Sequence, residues 1–175
     1  MLDQYARFFT ASTGAAAAFI GLLFVAFAVV SHAESEHATR ERRKVLAGSA
    51  FLALGDIFFV SLVSSLGGPV VFATASLVMA GLGLLGTSRL LPRAVRAGVF
   101  ARGYPKRTLN LAFVEIALIV YLAQLVLAIA LLSDSRSYGL TRALVFVIVA
   151  LFASALGRAW DVAGIGHRAP DESST

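Results

Sequence analysis

The 175-residue chain contains no cysteine, which excludes disulfides, thiolate metal sites and a cysteine nucleophile. Charged side chains are also scarce, since they make up 14% of the residues while 58% are hydrophobic. This composition lies outside the range of soluble globular domains. The sequence also lacks the H-E-x-x-H and G-x-S-x-G patterns of common hydrolases. We therefore expect a non-enzymatic protein that holds no cofactor and no metal.

Most of the sequence falls into five long apolar runs, at Phe8–Val30, Val45–Leu66, Val70–Leu91, Leu109–Leu132 and Leu140–Gly157. Each has about the ~20 residues that a helix needs to cross a bilayer. Continuous runs without strict alternation favour helices over a β-barrel. The sequence therefore predicts an all-α, multi-pass membrane bundle of five helices. We expect one transmembrane domain over residues 1–165 and a disordered C-terminal tail over residues 166–175.

The basic residues between the runs predict the orientation. Of the 15 Lys and Arg residues, only Arg7, Arg136 and Arg142 fall on the side of the N-terminus. The positive-inside rule then predicts an N-out, C-in protein of the bacterial cytoplasmic (plasma) membrane. Nucleic-acid binding is the rival interpretation of the basic loops. We reject it because these residues follow the ends of the runs and lack interleaved aromatics.

A basic segment follows Pro92, which we expect to close the third span. Its charged residues are Arg93, Arg96, Arg102, Lys106 and Arg107. Apolar residues lie between these basic ones, and this mixture predicts an interfacial segment in contact with anionic lipids. The first run raises a separate question, because Ser31-His32-Ala33 resembles a signal-peptide cleavage site. We expect a retained helix, since the run is too long for a signal peptide.

Small residues form stripes on two of the predicted helices, where they would let helices pack closely within the membrane. The packing residues that we single out are Gly14, Ala18 and Gly21 in the first run and Ala80 and Gly83 in the third. The third run also contains the pattern G-x-G-x-x-G at residues 81–86. We do not interpret it as a dinucleotide site, because it lies within an apolar helix rather than after a strand.

Two acidic residues lie inside the predicted membrane region. Asp56 is ~16 Å and Glu115 ~10 Å from the inner end of its span, at 1.5 Å per residue. An ionised carboxylate there costs about 2.5–3.5 kcal/mol, so each must be protonated or face the protein interior. Their similar depths predict a shared site for proton binding. The alternative is that each is a hydrogen-bonded packing residue, with Gln124, Tyr121, Ser49, Ser61 or Thr74 as partner.

A polar line on the fourth helix supplies further candidates. Asn110, Tyr121 and Gln124 fall on one side of this helix at 100° per residue, whereas Glu115 points away from them. These residues are predicted to support the acidic site. Ordinary hydrogen bonding between helices is the alternative explanation for them.

The N-terminal third resembles a known family. Phe8-Phe9, residues 14–18 (GAAAA) and residues 21–25 (GLLFV) are followed by the basic stretch Arg40–Lys44. This pattern is similar to a family of small bacterial multi-pass membrane proteins that are sometimes labelled modulators of the FtsH protease. The resemblance implies a multi-pass membrane protein and assigns no role to any residue.

Three functions remain open. The first is a non-enzymatic, channel-like or proton-coupled transport protein that uses Asp56 and Glu115. The second is an accessory subunit that packs against a larger membrane protein, with the lipid bilayer and a further copy of the chain as other partners. An intramembrane aspartyl enzyme is the third, and we set it aside for want of any other catalytic pattern.

Overall fold

The computed structural model describes residues 3–33, 37–96 and 107–163, and their side chains over residues 4–28, 44–92 and 116–160. A short 3-10 helix at Asp3–Tyr5 precedes five α-helices. These are α1 (Ala6–Ala33), α2 (His37–Ser64), α3 (Pro69–Arg96), α4 (Arg107–Ser133) and α5 (Tyr138–Ala163). All five are long and apolar enough to cross a membrane, which confirms the prediction of an all-α, five-helix protein.

Four of the helices form a closed ring, and the fifth packs on its outside. Helix α2 contacts α3, α3 contacts α4, α4 contacts α5, and α5 returns to α2. In this ring α2 and α4 therefore occupy opposite corners. Helix α1 packs mainly against α2 and more lightly against α5. The short connections after α2 and α4 make consecutive helices antiparallel.

The two ends of the bundle differ in the residues that they carry. One end, which we name the Tyr5 end, holds the start of α1 and the turns that follow α2 and α4. Here a hydrogen bond to Tyr138 raises the pKa of Tyr5. The opposite end is named the Lys44 end, after the residue that begins the apolar part of α2. The N-out prediction would place the Lys44 end in the cytoplasm.

Large apolar side chains cover the outside of the bundle. Phe24 on α1, Ile119 on α4 and Phe146 on α5 are each at least 60% exposed. Val78 on α3 and Phe59 on α2 extend this surface to the remaining helices. In water such an apolar surface would cause aggregation, whereas in a membrane it is covered by lipid chains. The surface thus supports a multi-pass membrane protein.

The third membrane span is Pro69–Pro92, which agrees with the prediction that Pro92 closes it, although helix α3 itself continues to Arg96. Proline removes the bond to the carbonyl four residues earlier, which here belongs to Ser88. Ser88 is exposed and near the end of the span, where water or lipid headgroups replace the lost donor. Of the predicted lipid-binding residues, Arg93, Arg96 and Arg107 have side chains outside the described residues, and Arg102 and Lys106 lie outside them entirely.

The two predicted stripes of small residues differ in whether the structure buries them. Ala80 and Gly83 are buried in the ring, as predicted for packing residues. Gly14, Ala18 and Gly21 are instead exposed, and no described atom lies within 4 Å of a Cβ added at either glycine. These three residues therefore make no close helix contact within the described part of the chain, and their role in packing stays a prediction. Helix α1 instead turns the face that carries Phe9, Ala16 and Leu23 towards the ring.

Candidate functional site

The centre of the ring is polar and is built around Asp56 of α2. The Asp56 side chain has no exposed surface, and its Oδ1 accepts a 3.0 Å hydrogen bond from Nε2 of Gln124. Gln124 belongs to α4, so this bond crosses the ring between opposite corners. The same Nε2 lies 3.4 Å from the backbone carbonyl of Ser76 on α3. One amide group thereby ties three helices together at the middle of the membrane.

Several polar atoms around this bond have no hydrogen-bond partner among the described protein atoms. They are Asp56 Oδ2, Gln124 Oε1, Ser76 Oγ, Tyr121 OH and, nearer the Tyr5 end, Ser61 Oγ. An unpaired polar atom in a low-dielectric interior is costly, and native proteins hold few of them. A cluster of such atoms in one place is typical of a functional centre or of a bound water or ion.

The hydrogen-bond partner of Asp56 is a neutral amide. The carboxyl group has no exposed surface, and the bond from Gln124 is the hydrogen bond that it makes within the described residues. A neutral amide does not offset the cost of taking a negative charge out of water. The group is therefore suited to holding a proton while the bundle is closed. Ionisation would require water or a positive charge to approach it.

Tyr121 lies one helical turn from Gln124, on the side of the Lys44 end. Its ring packs against Gly83 of α3 so closely that a Cβ added to this glycine would overlap it. Glycine is thus required at position 83 for α3 and α4 to approach each other around the ring. Packing between helices also accounts for Gly86, where an added Cβ would lie 2.6 Å from Leu52. These contacts explain two of the three glycines in the G-x-G-x-x-G pattern.

Arg158 is a buried cation that the sequence analysis did not single out. It is 4% exposed, and its Nε donates to the Ser154 carbonyl at 3.1 Å. One terminal nitrogen donates to Ser154 Oγ at 3.0 Å, and the other donates to the Ser49 carbonyl of α2 at 3.3 Å. Tyr121 lies within electrostatic range of both Arg158 and Asp56. A carboxyl group and a cation therefore both act on this tyrosine.

Arg158 lies inside the bundle, whereas the predicted end of the fifth run left it outside the membrane span. We expected the fifth span to finish at Gly157, but α5 continues to Ala163. The buried face of α5 follows Leu144, Ile148, Leu151 and Ala155, and the next position in this period is 158. Continuing the period by one turn would have identified Arg158 as an inward-facing residue.

Two predicted site residues remain untested. The side chains of Glu115 and Asn110 lie outside the described residues, although both positions belong to α4. The shared Asp56–Glu115 site therefore stays a prediction. The structure does bring together Asp56, Gln124 and Tyr121, together with Ser76. Among the described residues, no group of three His, Cys, Asp or Glu side chains could hold a metal ion.

No protein-family model matches the chain, and no curated protein or solved structure matches it. The resemblance of the N-terminal third to the small bacterial membrane protein family accordingly stays a prediction. Function has to be argued from the polar centre of the bundle.

Proposed function

We propose that the protein is a non-enzymatic, proton-coupled transport protein of the bacterial cytoplasmic membrane, in which Asp56 binds and releases the proton. The observation that carries this proposal is the complete burial of the Asp56 carboxyl group, with one neutral hydrogen-bond donor, at the centre of a membrane-sized bundle. Acidic groups at this depth are costly to retain, and a role in proton transfer is a physical reason to keep one.

The closed geometry favours a carrier over an open channel. Asp56 and Gln124 both have no exposed surface, so no continuous aqueous passage reaches them through the described residues in this conformation. A carrier would open the centre to one side at a time, and the proton on Asp56 would change the relative stability of its conformations. The Gln124 bond links α2 to α4, so a change in the charge of Asp56 acts directly on the contact between opposite helices.

The test is proton flux into liposomes that contain the purified protein, measured with a trapped pH-sensitive dye under an imposed membrane potential. Asp56→Asn keeps the size and hydrogen-bonding capacity of the side chain but removes the exchangeable proton of the carboxyl group. We expect it to lower the flux by a factor of ten or more. Asp134→Asn is the matched control, since Asp134 is exposed in the turn between α4 and α5. A folded Asp56→Asn protein with the flux of the original chain would contradict the proposal.

The exposed small-residue face of α1 supports a second function, that of an accessory subunit or homo-oligomer. Gly14, Ala18 and Gly21 lie on the outer surface, where they would admit a helix of another protein or of a second copy. An apolar groove between α1 and α5, lined by Ala11, Ala15 and Phe152 among others, adjoins this face.

Cysteine crosslinking in native membranes tests the second function, because the chain has no cysteine of its own. We expect Ala18→Cys to form a crosslinked species if α1 is an interface. Val126→Cys on the exposed face of α4 is the control and should remain uncrosslinked. Equal crosslinking at both positions would indicate random collision and remove the support for this function.

A further inference from the structure

The core of the bundle is not the same on the two sides of Asp56. Towards the Tyr5 end it is filled by large apolar side chains with almost no exposed surface. These are Phe9, Val60, Phe72, Leu131 and Leu144. The rings of Phe9 and Phe72 lie 5.3 Å apart and join α1 to α3. Of the buried hydroxyls in this region, Ser64 and Thr141 donate to carbonyls of their own helices or adjacent turns, whereas Ser61 has no hydrogen-bond partner among the described atoms.

Towards the Lys44 end the core is made mainly of small side chains and of polar groups that bridge helices. The small residues are Ala47, Ala50, Ala53, Ala80, Gly83, Ala117 and Ala155. Leu23, Val45, Leu54 and Leu151 also lie in this half. The polar groups are Tyr121, Arg158 and Ser154, of which Arg158 joins two helices, because its guanidinium reaches from α5 to the Ser49 carbonyl of α2. Small and polar side chains exclude water less than large apolar ones do, so we expect water to enter more readily on this side of Asp56.

The polar groups of this half lie between Asp56 and the Lys44 end of the bundle. Ser49 and Asp56 are seven residues apart on α2, which places them on the same face and ~10 Å apart along the helix axis. The Arg158 guanidinium contacts the carbonyl at the far end of this interval. Tyr121 lies one helical turn from Gln124, the partner of Asp56, on the side of the Lys44 end. The Tyr121 hydroxyl has no hydrogen-bond partner among the described protein atoms, so it is available to water or to Asp56.

We propose that Asp56 exchanges its proton with the Lys44 end of the bundle through the Tyr121 hydroxyl, with Arg158 as a positioning residue. This inference rests on the proposed function of Asp56. Tyr121 OH and Asp56 Oδ2 are not hydrogen-bonded to each other, so the route needs a bridging water molecule. In the uptake step this water donates a proton to the Asp56 carboxylate and receives the Tyr121 hydroxyl proton, while the phenolate oxygen takes a proton from a hydronium ion that has entered on the side of Arg158. The net change is one proton delivered to Asp56, and the phenol and the bridging water end as they began. Release follows the same route in reverse. The apolar core at the Tyr5 end blocks the opposite route in this conformation.

The charges around this route come from two helices. Tyr121 of α4 and Arg158 of α5 are the titratable groups of the described chain that interact along it, while α3 contributes the uncharged Ser76 and Gly83. The described part of α1 faces the core with apolar residues such as Phe9 and Leu23. Arg158 thus supplies the positive charge that favours negative charge on the route without forming an ion pair that would trap Asp56 in its ionised form.

Side-specific modification of cysteine tests the direction of access, and the absence of native cysteine makes each substitution the only target. Ala53→Cys and Ala73→Cys form a matched pair, because both alanines have no exposed surface and lie on opposite sides of Asp56. A small, membrane-impermeant thiosulfonate reagent is applied to oriented vesicles from either face. We expect Ala53→Cys to react from the Lys44 face at least ten times faster than Ala73→Cys reacts from the Tyr5 face. Equal rates, or faster reaction of Ala73→Cys, would overturn the inference.

Proton flux in liposomes separates this inference from the proposed function. Tyr121→Phe removes one oxygen and keeps the ring against Gly83, so we expect a folded protein whose flux falls at least tenfold. Arg158→Gln should lower the flux similarly, and Arg158→Lys should restore most of it because the charge, rather than the shape, is required. If Asp56→Asn abolishes flux while Tyr121→Phe leaves it unchanged, the route is wrong and the proposed function stands. If Asp56→Asn is without effect, the proposed function fails and the cysteine rates still decide which face reaches the centre.

Discussion

Gly83→Leu is expected to prevent the five helices from assembling into their native bundle. A Cβ at this position already overlaps the Tyr121 ring, and a leucine side chain would force α3 away from α4. Overpacking in a dense core typically costs about 1–3 kcal/mol, which we expect for Gly83→Ala, and leucine adds three more carbon atoms to the same space. The measurement is the fraction of monodisperse, helical protein after extraction in mild detergent, followed by thermal unfolding of what remains.

Gly81→Leu is the matched control for this prediction. Gly81 lies two residues away on the same helix, but it is exposed and no described atom lies within 4 Å of an added Cβ. Leucine is readily accommodated in lipid and has a higher helix propensity than glycine, so Gly81→Leu should leave the stability of the bundle unchanged or raise it slightly. Equal loss of folded protein in both variants would show that the Tyr121–Gly83 contact does not determine the packing of α3 on α4.

Gln124→Leu is expected to destabilise the bundle by about 1–3 kcal/mol, and adding Asp56→Leu is expected to recover most of this loss. The single change leaves the buried Asp56 carboxyl without its donor. The double change replaces both partners with apolar groups of comparable size, so no polar group of this pair is left unsatisfied. Stability is measured by denaturant unfolding in detergent micelles for each single variant, the double variant and the original chain.

The two single variants should differ from each other. Asp56→Leu leaves the Gln124 amide with the Ser76 carbonyl at 3.4 Å, so it should cost less than Gln124→Leu. Ser133→Leu is the control for adding a leucine to α4, because Ser133 is exposed near the end of that helix. Additive losses in the double variant would mean that Asp56 and Gln124 do not interact in the folded protein.

Much of the candidate site could be anticipated from single residues, because the cost of burying a charge is local. Asp56 was identified in this way from an acidic residue within an apolar run. The hydrogen-bond partner of Asp56 could not be identified in the same way, and Gln124 was one of five candidates. Residue number sets the depth of a side chain along its helix, but the side chain that faces it depends on how the helices are rotated against each other. Arg158 was missed because the end of the fifth run was placed at a change in hydrophobicity, although the buried period of α5 includes it.

The sequence by itself determined the number of helices, their approximate ends and their apolar character, because the backbone must satisfy its own hydrogen bonds in lipid and a helix needs a fixed length to span it. Only the tertiary structure decided which faces pack. It turned the small residues of α1 outward and those of α3 inward, since helices in lipid associate through shape and hydrogen bonds rather than through hydrophobic drive. For the same reason the polar centre, where Asp56, Gln124 and Tyr121 of two opposite helices meet, exists only once the ring has closed.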